Sequence, residues 1–283
     1  MDKPPSASDN DVRHLVDLAL QEDGLDLTTQ FILPQPLIGK ASIIAKGAGV
    51  LCGQALVAAV VQAVDPQTKL HWHKQDRDGV KPGDSVATLD GSLQALLRLE
   101  RPALNFLQHL SGIATSTRQF VEAAAGSKLK ILDTRKTLPG WRRLQKYAVT
   151  CGGGYNHRMG LFDQVLIKDN HMAAAGGMPA LLPRLVQMRA AQPQLWIELE
   201  VQNLDQLALA LQAPVDRIML DNFSLDQMQQ AVSMVRGKIP LEVSGGVTLP
   251  DIAKLASIGV DYVSVGALTH SVKALDISME IVV

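Results

Sequence analysis

The stretch that decides the fold is LWIELEVQNLDQLALALQAPVDRIMLDN, residues 195–222. Two short runs rich in apolar and β-branched residues, 195–201 and 217–220, flank an amphipathic segment at 203–212. A strand, a helix and a second strand in this order form the repeating unit of parallel α/β sheets. The stretch therefore predicts a domain in which helices cover a parallel sheet.

The same alternation continues on both sides of this stretch. It predicts six strands, at 129–132, 165–167, 195–201, 217–220, 241–243 and 262–265. It predicts helices at 178–191, 203–212, 225–236 and 249–257. One strand–helix unit recurs about every 20–30 residues, which is typical of an α/β barrel or a doubly wound sheet. The strands are fewer than a closed barrel requires, and 145–160 has room for a seventh.

The first part of the chain has a different pattern, which predicts a small α+β domain. Strand-like alternation at 40–51 and 69–90 flanks a helical segment at 53–64. Residues 93–124 carry leucines at helical spacing. We predict a break in that helix near Pro102, because a proline interrupts helical hydrogen bonding.

The domain boundary is predicted where these two patterns meet. Residues 1–112 form the first predicted domain and 113–269 the second. The tail, 270–283, departs from the strand–helix rhythm and is expected to return to the first domain.

Composition and charge narrow the classes of function. The 283 residues are 47% hydrophobic and 19% charged, which favours a packed core and excludes wholesale disorder. Lys and Arg number 27 against 28 Asp and Glu, a net charge of -1, which argues against a globally basic nucleic-acid binder. No run of about 18 uninterrupted apolar residues occurs, so no membrane span is expected.

The cysteines and the N-terminus bear on location. Cys52 and Cys151 are the only two cysteines, too few for a disulfide framework, so a reducing compartment is expected. Cys151 lacks the spacing of a zinc ligand and is expected to be structural. The N-terminus has no apolar signal segment, and we expect a cytoplasmic protein.

Each predicted strand is followed by polar residues or by glycine. Ligands of parallel α/β folds bind at the carboxyl ends of strands, so six such junctions together predict a site. The junctions carry Asp133–Lys136, Lys168–His171, Glu198 with Glu200, Asp221–Asn222, Ser244–Gly246 and Gly266–Ala267. A solvated loop remains the alternative for any single junction.

The window from Asp133 to His171 is basic within a nearly neutral chain. It holds seven cations against three acids, a local charge of +4. The cations are Arg135, Lys136, Arg142, Arg143, Lys146, Arg158 and Lys168. Such a window predicts a pocket for a small polyanion such as a phosphate or a polycarboxylate. At least one of Arg142 and Arg143 is expected to be solvated or ion-paired instead.

Glycines and acids complete the predicted site. Gly152–Gly154 and Ser244–Gly246 let main-chain N–H groups approach an anion, with a flexible turn as the alternative for either run. Ser244–Gly246 is the stronger signal, because barrels bind phosphate after their late strands. Glu200 and Asp221 end adjacent strands, and carboxylates beside a phosphate substrate predict Mg²⁺. Ion pairing with Lys168 or an arginine explains both acids equally well.

Five motifs together resemble the quinolinate phosphoribosyltransferase family. They are Glu100–Asn105, Asp133–Thr137 with Pro139–Gly140, Gly152–Arg158, Leu166–His171 and Leu220–Asn222. The motifs are long and correctly spaced, and the resemblance covers essentially the whole chain. It implies that quinolinate and phosphoribosyl pyrophosphate react, with Mg²⁺, to give nicotinate mononucleotide, pyrophosphate and CO₂ in de novo NAD synthesis.

The resemblance also implies a fold and an assembly. The fold is that of a type II phosphoribosyltransferase, with an N-terminal α/β sandwich domain and a TIM-like, seven-stranded open α/β barrel. The implied assembly is a homodimer, with a hexamer left open, in which Arg101 completes the partner's site. No nucleic-acid or membrane partner is implied.

Roles for individual residues come from the same resemblance. It gives catalytic roles to Lys136, Lys168, Glu200 and Asp221. The residues implied to surround the carboxylates of quinolinate and the nearby phosphates are Arg101, Arg135, Lys136, His157, Arg158 and Lys168. Glu200 and Asp221 would face the ribose hydroxyls and would bind Mg²⁺ directly or indirectly. Ser244, Gly245, Gly246 and Gly266 would hold the 5′-phosphate, and Thr134, Ser264 and Val265 are further substrate-binding residues.

Three other functions compete with this reading. A phosphoribosyltransferase that uses nicotinate needs fewer cations, since nicotinate has one carboxylate, and the basic window argues against it. A Schiff-base aldolase would use Lys168 as its nucleophile, which requires an apolar or cationic environment. A non-catalytic sensor of sugar phosphate has no need of Glu200 and Asp221 beside every expected cation.

Overall fold

The computed structural model describes residues 4–33, 35 and 37–282, which divide into two compact units. The N-terminal unit comprises the described residues up to Arg118, the segment 137–153 and the residues from Leu268 onward. The C-terminal unit comprises 119–136 and 154–267. The segment 137–153 thus packs with the N-terminal unit, whereas the boundaries predicted from sequence leave it in the second domain.

The N-terminal unit is built around a four-stranded antiparallel sheet. Its elements are α1 (Asn10–Asp23), α2 (Leu27–Ile32), β1 (Ile38–Ala45), β2 (Gly49–Val50), α3 (Gln54–Val64), β3 (Lys69–Trp72), β4 (Gly79–Val80), β5 (Ser85–Ser92), most of α4 (Leu93–Ala123), α5 (Arg142–Cys151) and the C-terminal strand β12 (Ile277–Val282). The strand order is β12-β1-β5-β3, so the end of the chain pairs with β1. Strands β2 and β4 form a separate two-stranded sheet.

The long helix α4 corrects one prediction from the sequence. It runs unbroken for 31 residues through Pro102, where we predicted a break. Leu96 and Leu99 before the proline, and Leu104 and Leu107 after it, are all buried. Packing on both sides therefore outweighs the hydrogen bond that the proline removes.

The C-terminal unit holds the parallel sheet that the sequence predicts. Its elements are β6 (Lys130–Leu132), β7 (Val165–Ile167), α6 (Asp169–Ala174), α7 (Met178–Ala191), β8 (Ile197–Val201), α8 (Leu204–Ala210), β9 (Arg217–Asp221), α9 (Leu225–Val235), β10 (Leu241–Ser244), α10 (Ile252–Ile258) and β11 (Tyr262–Ser264). A single 3₁₀ turn, Leu249–Asp251, precedes α10, and α11 (Ala267–His270) follows β11. All six predicted strands and all four predicted helices are confirmed, with small differences at their ends.

The sheet order is β6-β11-β10-β9-β8-β7, and every pairing in it is parallel. All five residues of β8 are buried. A parallel sheet of this kind is covered on both faces, which explains the nearly continuous apolar runs in its strands. Two of the buried residues of β8 are nevertheless acids, Glu198 and Glu200, and both belong to the site described below.

The predicted seventh strand is reduced to one residue. Tyr155 forms an isolated parallel bridge with Leu132, on the free side of β6. Its N–H donates to the oxygen of Ile131 at 2.8 Å, and its oxygen accepts from the N–H of Asp133 at 3.1 Å. The mixed α/β architecture, an antiparallel sheet unit plus a barrel-type parallel sheet, confirms the predicted fold class. Within the described chain, no helix combines the length and the apolar character that crossing a membrane requires.

Candidate active site

The C-terminal unit gathers most of the predicted site residues at one edge of its sheet. Ile167 pairs with Leu199, and Ser264 pairs with Leu132, so the ends of neighbouring strands line up. Residues that follow these ends share one edge, because the strands are parallel. The predicted residues in this unit are Thr134, Arg135, Lys136, His157, Arg158, Lys168, Glu200, Asp221, Ser244, Gly245, Gly246, Ser264, Val265 and Gly266.

Arg101 belongs to the N-terminal unit. It is on α4, its side chain is exposed, and its guanidinium pairs with the Glu100 carboxylate of the same helix at 3.6 Å. An exposed pair of this length contributes little to stability and leaves the guanidinium available to an outside anion.

Arg158 is a buried cation with an uncharged partner. Its side chain donates to the main-chain oxygen of Gln164 at 3.3 Å. Burial lowers the pKa of Arg158, and the charge of Arg135 lowers it further. Two guanidinium groups that repel one another in a partly buried region favour an anion between them.

Lys168 and Glu200 form an ion pair at the ends of neighbouring strands. The Lys168 Nζ atom lies 3.2 Å from Oε2 of Glu200, and Glu200 is buried while Lys168 is about half exposed. The Lys168 main-chain N–H donates to Nδ1 of His171 at 3.0 Å, at the start of α6. His171, one of the two histidines in the basic window, therefore caps a helix. The ion pairing of Glu200 with Lys168, which the sequence analysis gave as the alternative to Mg²⁺ binding, is therefore present in the structure.

The loops after β9 and β10 are joined by Asn222. Its N–H donates to the oxygen of Ser244 at 3.0 Å, and its Nδ2 donates to Oδ2 of Asp221 at 2.9 Å. Asn222 has φ 56, and Gly245 has φ +102. Gly246 has φ +59 and open space where a Cβ would point. Such a run of left-handed residues turns main-chain N–H groups outward, as in anion-binding nests.

The end of β11 is tied into the sheet. The N–H of Val265 donates to the oxygen of Leu132 at 2.9 Å, so that N–H group is already paired. Ser264 and Val265 are buried, whereas Gly266 is partly exposed. Of these three residues, Gly266 lies nearest to solvent.

Beneath the strand ends lies a cluster of four buried polar side chains, His157, Glu198, Arg217 and Glu242, which we call the buried quartet. Arg217 donates to both carboxylate oxygens of Glu198, at 2.9 Å each, and its Nε atom lies 3.2 Å from Oε2 of Glu242. His157 Nε2 lies 3.0 Å from Oε2 of Glu198. The face of the Arg217 guanidinium covers the ring of Tyr262 at 4.9 Å, which adds a cation–π contact.

The two acids of the quartet have opposite pKa shifts. Burial raises the pKa of Glu242 well above its usual range, and the charge of Glu198 raises it further. Burial also opposes ionisation of Glu198, but the hydrogen bond from His157 and the charge of Arg217 outweigh it and lower the pKa of Glu198. Arg217 thus favours the ionised form of Glu198, whereas burial favours the protonated form of Glu242.

The quartet also has the spacing of a metal site, since ligand atoms of His157, Glu198 and Glu242 lie within 4.8 Å of one another. Arg217 already supplies the positive charge that these groups require, so a cation is not needed there. Sequence reasoning missed Arg217 and Glu242. Each of these two residues is a charged residue within an otherwise apolar strand, as Glu198 is in β8, and this feature could have identified them.

The cations of the basic window are divided between the two units. Arg135, Lys136, Arg158 and Lys168 lie in the C-terminal unit, whereas Arg142, Arg143 and Lys146 lie in the N-terminal unit. Arg143 pairs with Asp11, Nε to Oδ2 at 2.6 Å, and also with Asp9, which confirms that one arginine of the Arg142–Arg143 pair is ion-paired. Lys146 is fully buried.

Cys52 and Cys151 meet in the core of the N-terminal unit, a contact that sequence spacing did not predict. Both are buried free thiols, and a ligand atom of Asp76 lies within 4.8 Å of each. The oxygens of Asp76 already accept hydrogen bonds from the N–H groups of Gly53 and Gln54 and from the Tyr147 hydroxyl. The carboxylate thus serves the start of α3, in keeping with a structural role for Cys151.

Two protein-family models match consecutive parts of this chain. The model described as Quinolinate phosphoribosyl transferase, N-terminal domain, matches residues 26–111. The model described as Quinolinate phosphoribosyl transferase, C-terminal domain, matches residues 113–280.

Curated relatives and solved structures agree with the family models. The chain is 44% identical over 278 residues to nicotinate-nucleotide pyrophosphorylase [carboxylating] of Mycobacterium leprae, covering 95% of this chain and 96% of that one. It is 43% identical over 256 residues to the probable nicotinate-nucleotide pyrophosphorylase [carboxylating] of Bacillus subtilis, covering 90% and 88%. The solved nicotinate-nucleotide pyrophosphorylase of Francisella tularensis superposes with a TM-score of 0.91 at 39% identity, covering 99% of this chain and 100% of that chain.

Proposed function

This chain belongs to the quinolinate phosphoribosyltransferase family, and we propose that it catalyses the decarboxylating transfer for which that family is named. Quinolinate and phosphoribosyl pyrophosphate would give nicotinate mononucleotide, pyrophosphate and CO₂, a step of NAD biosynthesis. The observation that carries the proposal is the pair of arginines, Arg135 and Arg158, in a unit whose whole length matches the family model. Two guanidinium groups that interact with one another suit a dicarboxylate better than a monocarboxylate.

The first role of the site is to bind the two carboxylates and the pyrophosphate. We assign this role to Arg135, Lys136, Arg158 and Lys168, with Thr134 and His157 in support. Arg101 joins them from the partner subunit of a homodimer, which agrees with its exposure and its weak partner within the chain. Arginines bind carboxylates bidentately, while the lysines act as point charges on the phosphates.

Glu200 and Asp221 would hold Mg²⁺ and face the ribose hydroxyls. Their oxygen donors have the chemistry that Mg²⁺ prefers, and they end adjacent strands. One oxygen of Glu200 is paired with Lys168, which favours a cation that arrives bound to the pyrophosphate and keeps some of its waters. When bound, the cation neutralises the charge that develops on the departing pyrophosphate.

The 5′-phosphate is assigned to the glycine loops. Ser244, Gly245 and Gly246 follow β10, and Ser264, Val265 and Gly266 follow β11. The open space at Gly246 and its positive φ support main-chain contacts to a phosphate. In the second loop the Val265 N–H is paired with Leu132, and Gly266 is the more exposed of these two residues.

The reaction requires positioning and charge rather than a strong base. The ring nitrogen bonds to C1 of the ribose as the bond from C1 to the pyrophosphate oxygen breaks. The nitrogen becomes positive, so the adjacent carboxylate can leave as CO₂ with the electron pair retained on the ring carbon. That carbon then takes up a proton. Cations at the carboxylates and the leaving group, with carboxylates near the sugar, stabilise each of these charges.

The competing functions fit the described residues less well. Lys168 is about half exposed and paired with a carboxylate, unlike the desolvated lysine that a Schiff-base aldolase needs. A sensor would not need the Glu200 carboxylate beside the cations. The human nicotinic acid phosphoribosyltransferase superposes with a TM-score of 0.58 at 13% identity, which shows a similar fold and nothing more.

The test is a comparison of two acceptors at the same phosphoribosyl pyrophosphate and Mg²⁺ concentrations. We expect nucleotide formation from quinolinate and none from nicotinate. Preference for nicotinate would overturn the dicarboxylate assignment.

The free thiols Cys52 and Cys151 support our further proposal that the enzyme works in the cytoplasm.

A further inference from the structure

The buried quartet lies under the strand ends. Arg217 holds Glu198 by two hydrogen bonds, His157 Nε2 lies 3.0 Å from Glu198, and Glu242 is held by its ion pair with Arg217. Glu198, Arg217 and Glu242 come from three consecutive strands of the sheet, β8, β9 and β10. His157 comes from the segment that adds Tyr155 to the sheet edge. The quartet thus joins three rigid strands to the segment that carries Arg158.

The hydrogen bonds fix which nitrogen of His157 carries the proton. The main-chain N–H of Arg158 donates to Nδ1 of His157 at 2.7 Å, so Nδ1 is an acceptor. A neutral ring must then carry its hydrogen on Nε2, which faces Oε2 of Glu198 at 3.0 Å and donates to it. Arg217 donates to both oxygens of Glu198, and its Nη2 atom also lies 3.2 Å from His157 Nε2.

A second bond anchors the same segment. The main-chain N–H of His157 donates to Oδ1 of Asp133, a fully buried residue directly after β6. His157 is thereby held at its main chain by β6 and at its ring by β8. The next residue, Arg158, can shift only if one of these bonds breaks.

We infer that Glu198 and Arg217 are positioning residues that act through the His157 ring to hold the Arg158 main chain, and so aim its guanidinium at the quinolinate carboxylates. This inference rests on the proposed function for the identity of the ligand. Three links connect these residues. Arg217 donates to Glu198, His157 Nε2 donates to Glu198, and the Arg158 main-chain N–H donates to His157 Nδ1. His157 is in this account a positioning residue too, since each ring nitrogen already has a protein partner.

Stability alone does not account for the quartet. Replacing a buried ion pair with apolar residues of similar volume is often neutral or stabilising. A rigid second layer beneath a binding group has a different benefit, because a small displacement of a charged ligand-binding group lowers affinity and rate steeply.

The test uses Glu198→Asp, which keeps a charge beside Arg217 but shortens the reach to His157. We expect the Arg158 amide hydrogen to exchange at least about tenfold faster, and the KM for quinolinate to rise about tenfold. The KM for phosphoribosyl pyrophosphate should stay within about twofold of the wild-type value. Lys128→Gln is the control, because it removes an exposed ion pair with Asp261 in the same unit and should change neither quantity.

His157→Gln is the second variant, in case Glu198→Asp folds poorly. Glutamine keeps an N–H group for Glu198 but has no acceptor where Nδ1 lies, so the Arg158 amide should again lose protection. Unchanged amide exchange and an unchanged KM for quinolinate in both variants would overturn the inference. If the wild type fails to use quinolinate while the Arg158 amide still responds to Glu198→Asp, the proposed function fails and the positioning link stands.

Discussion

Gly245 and Asn222 approach so closely that a side chain at position 245 would collide with Asn222. A Cβ atom at position 245 would lie 2.1 Å from Oδ1 of Asn222, and Gly245 has φ +102. Asn222 in turn holds Asp221 through its side chain and the loop after β10 through its main chain. The proposed ribose-facing acid and the proposed phosphate loop are therefore a single packed assembly.

Gly245→Ala should disrupt that assembly. The added methyl must displace Asn222, so we expect the affinity for phosphoribosyl pyrophosphate to fall at least about tenfold, measured by calorimetry. Gly237→Ala is the matched control, since Gly237 has φ +72 and nothing within 4 Å of a Cβ. It should cost about 1 kcal/mol of stability and leave the affinity unchanged. Equal affinity losses in the two variants would mean that backbone strain alone explains the effect.

Lys136→Ala and Lys168→Ala test the proposed lysines. Each removes a cation assigned to the carboxylates or the pyrophosphate, so kcat/KM should fall by at least about an order of magnitude. Lys254→Ala removes an exposed lysine on α10 and should leave kcat/KM unchanged. Activity near the wild-type level in both site variants would contradict the assignment.

The two buried glutamates should respond differently to amide replacement. Burial raises the pKa of Glu242 and disfavours its charge, so we expect Glu242→Gln to change the unfolding free energy less than Glu198→Gln does. Glu198→Gln leaves Arg217 buried without an ionised partner, and we expect a loss of about 3–5 kcal/mol. Denaturant unfolding of the two variants measures the difference, and the reverse order would show that Glu242 is the ionised member.

Arg143 should make stability depend on pH in the acid range. The hydrogen bond from Arg143 lowers the pKa of Asp11 below its ordinary value of 3.8. A depressed carboxyl pKa stabilises the folded state above the unfolded value, and that contribution disappears as the pH falls through the lowered pKa. Arg143→Gln should therefore lower Tm at about pH 6 but have little effect near about pH 2.

The control for this pH dependence is Arg13, which lies on α1, the helix that carries Asp11. Arg13 donates to the neutral side chain of Asn10 at 2.8 Å, so Arg13→Gln should change Tm equally at both pH values. If the Tm difference between the wild type and Arg143→Gln is the same at low pH as at about pH 6, packing rather than charge links Arg143 to α1.

The local pattern of apolar residues predicts the parallel sheet. Particular residues show where such prediction from sequence fails. The runs that became β8 and β9 were predictable because burial on both faces demands apolar residues over a strand's length. Pro102 shows the opposite case, since long-range packing overrode a strong local signal. Tyr155 is a third case. The seventh strand consists of this one bridging residue, which is too short to show a periodic pattern in the sequence.

The site was predictable only where residues follow strand ends. Lys168, Glu200 and Asp221 were found in this way, and their positions at strand ends agree with the prediction. Arg143 and Lys146 were grouped with the pocket cations because they are close in sequence, yet they pack in the other unit. Arg217 and Glu242 were missed because a charged residue at the start or middle of a strand gives no local sign of its partner across the sheet.

The central claim is tested most directly by the stoichiometry of the reaction. The purified protein is incubated with Mg²⁺, phosphoribosyl pyrophosphate and quinolinate labelled at the carboxylate next to the ring nitrogen, and CO₂ and pyrophosphate are measured together. The account predicts equal release of both. Pyrophosphate without labelled CO₂, or neither product, would contradict it.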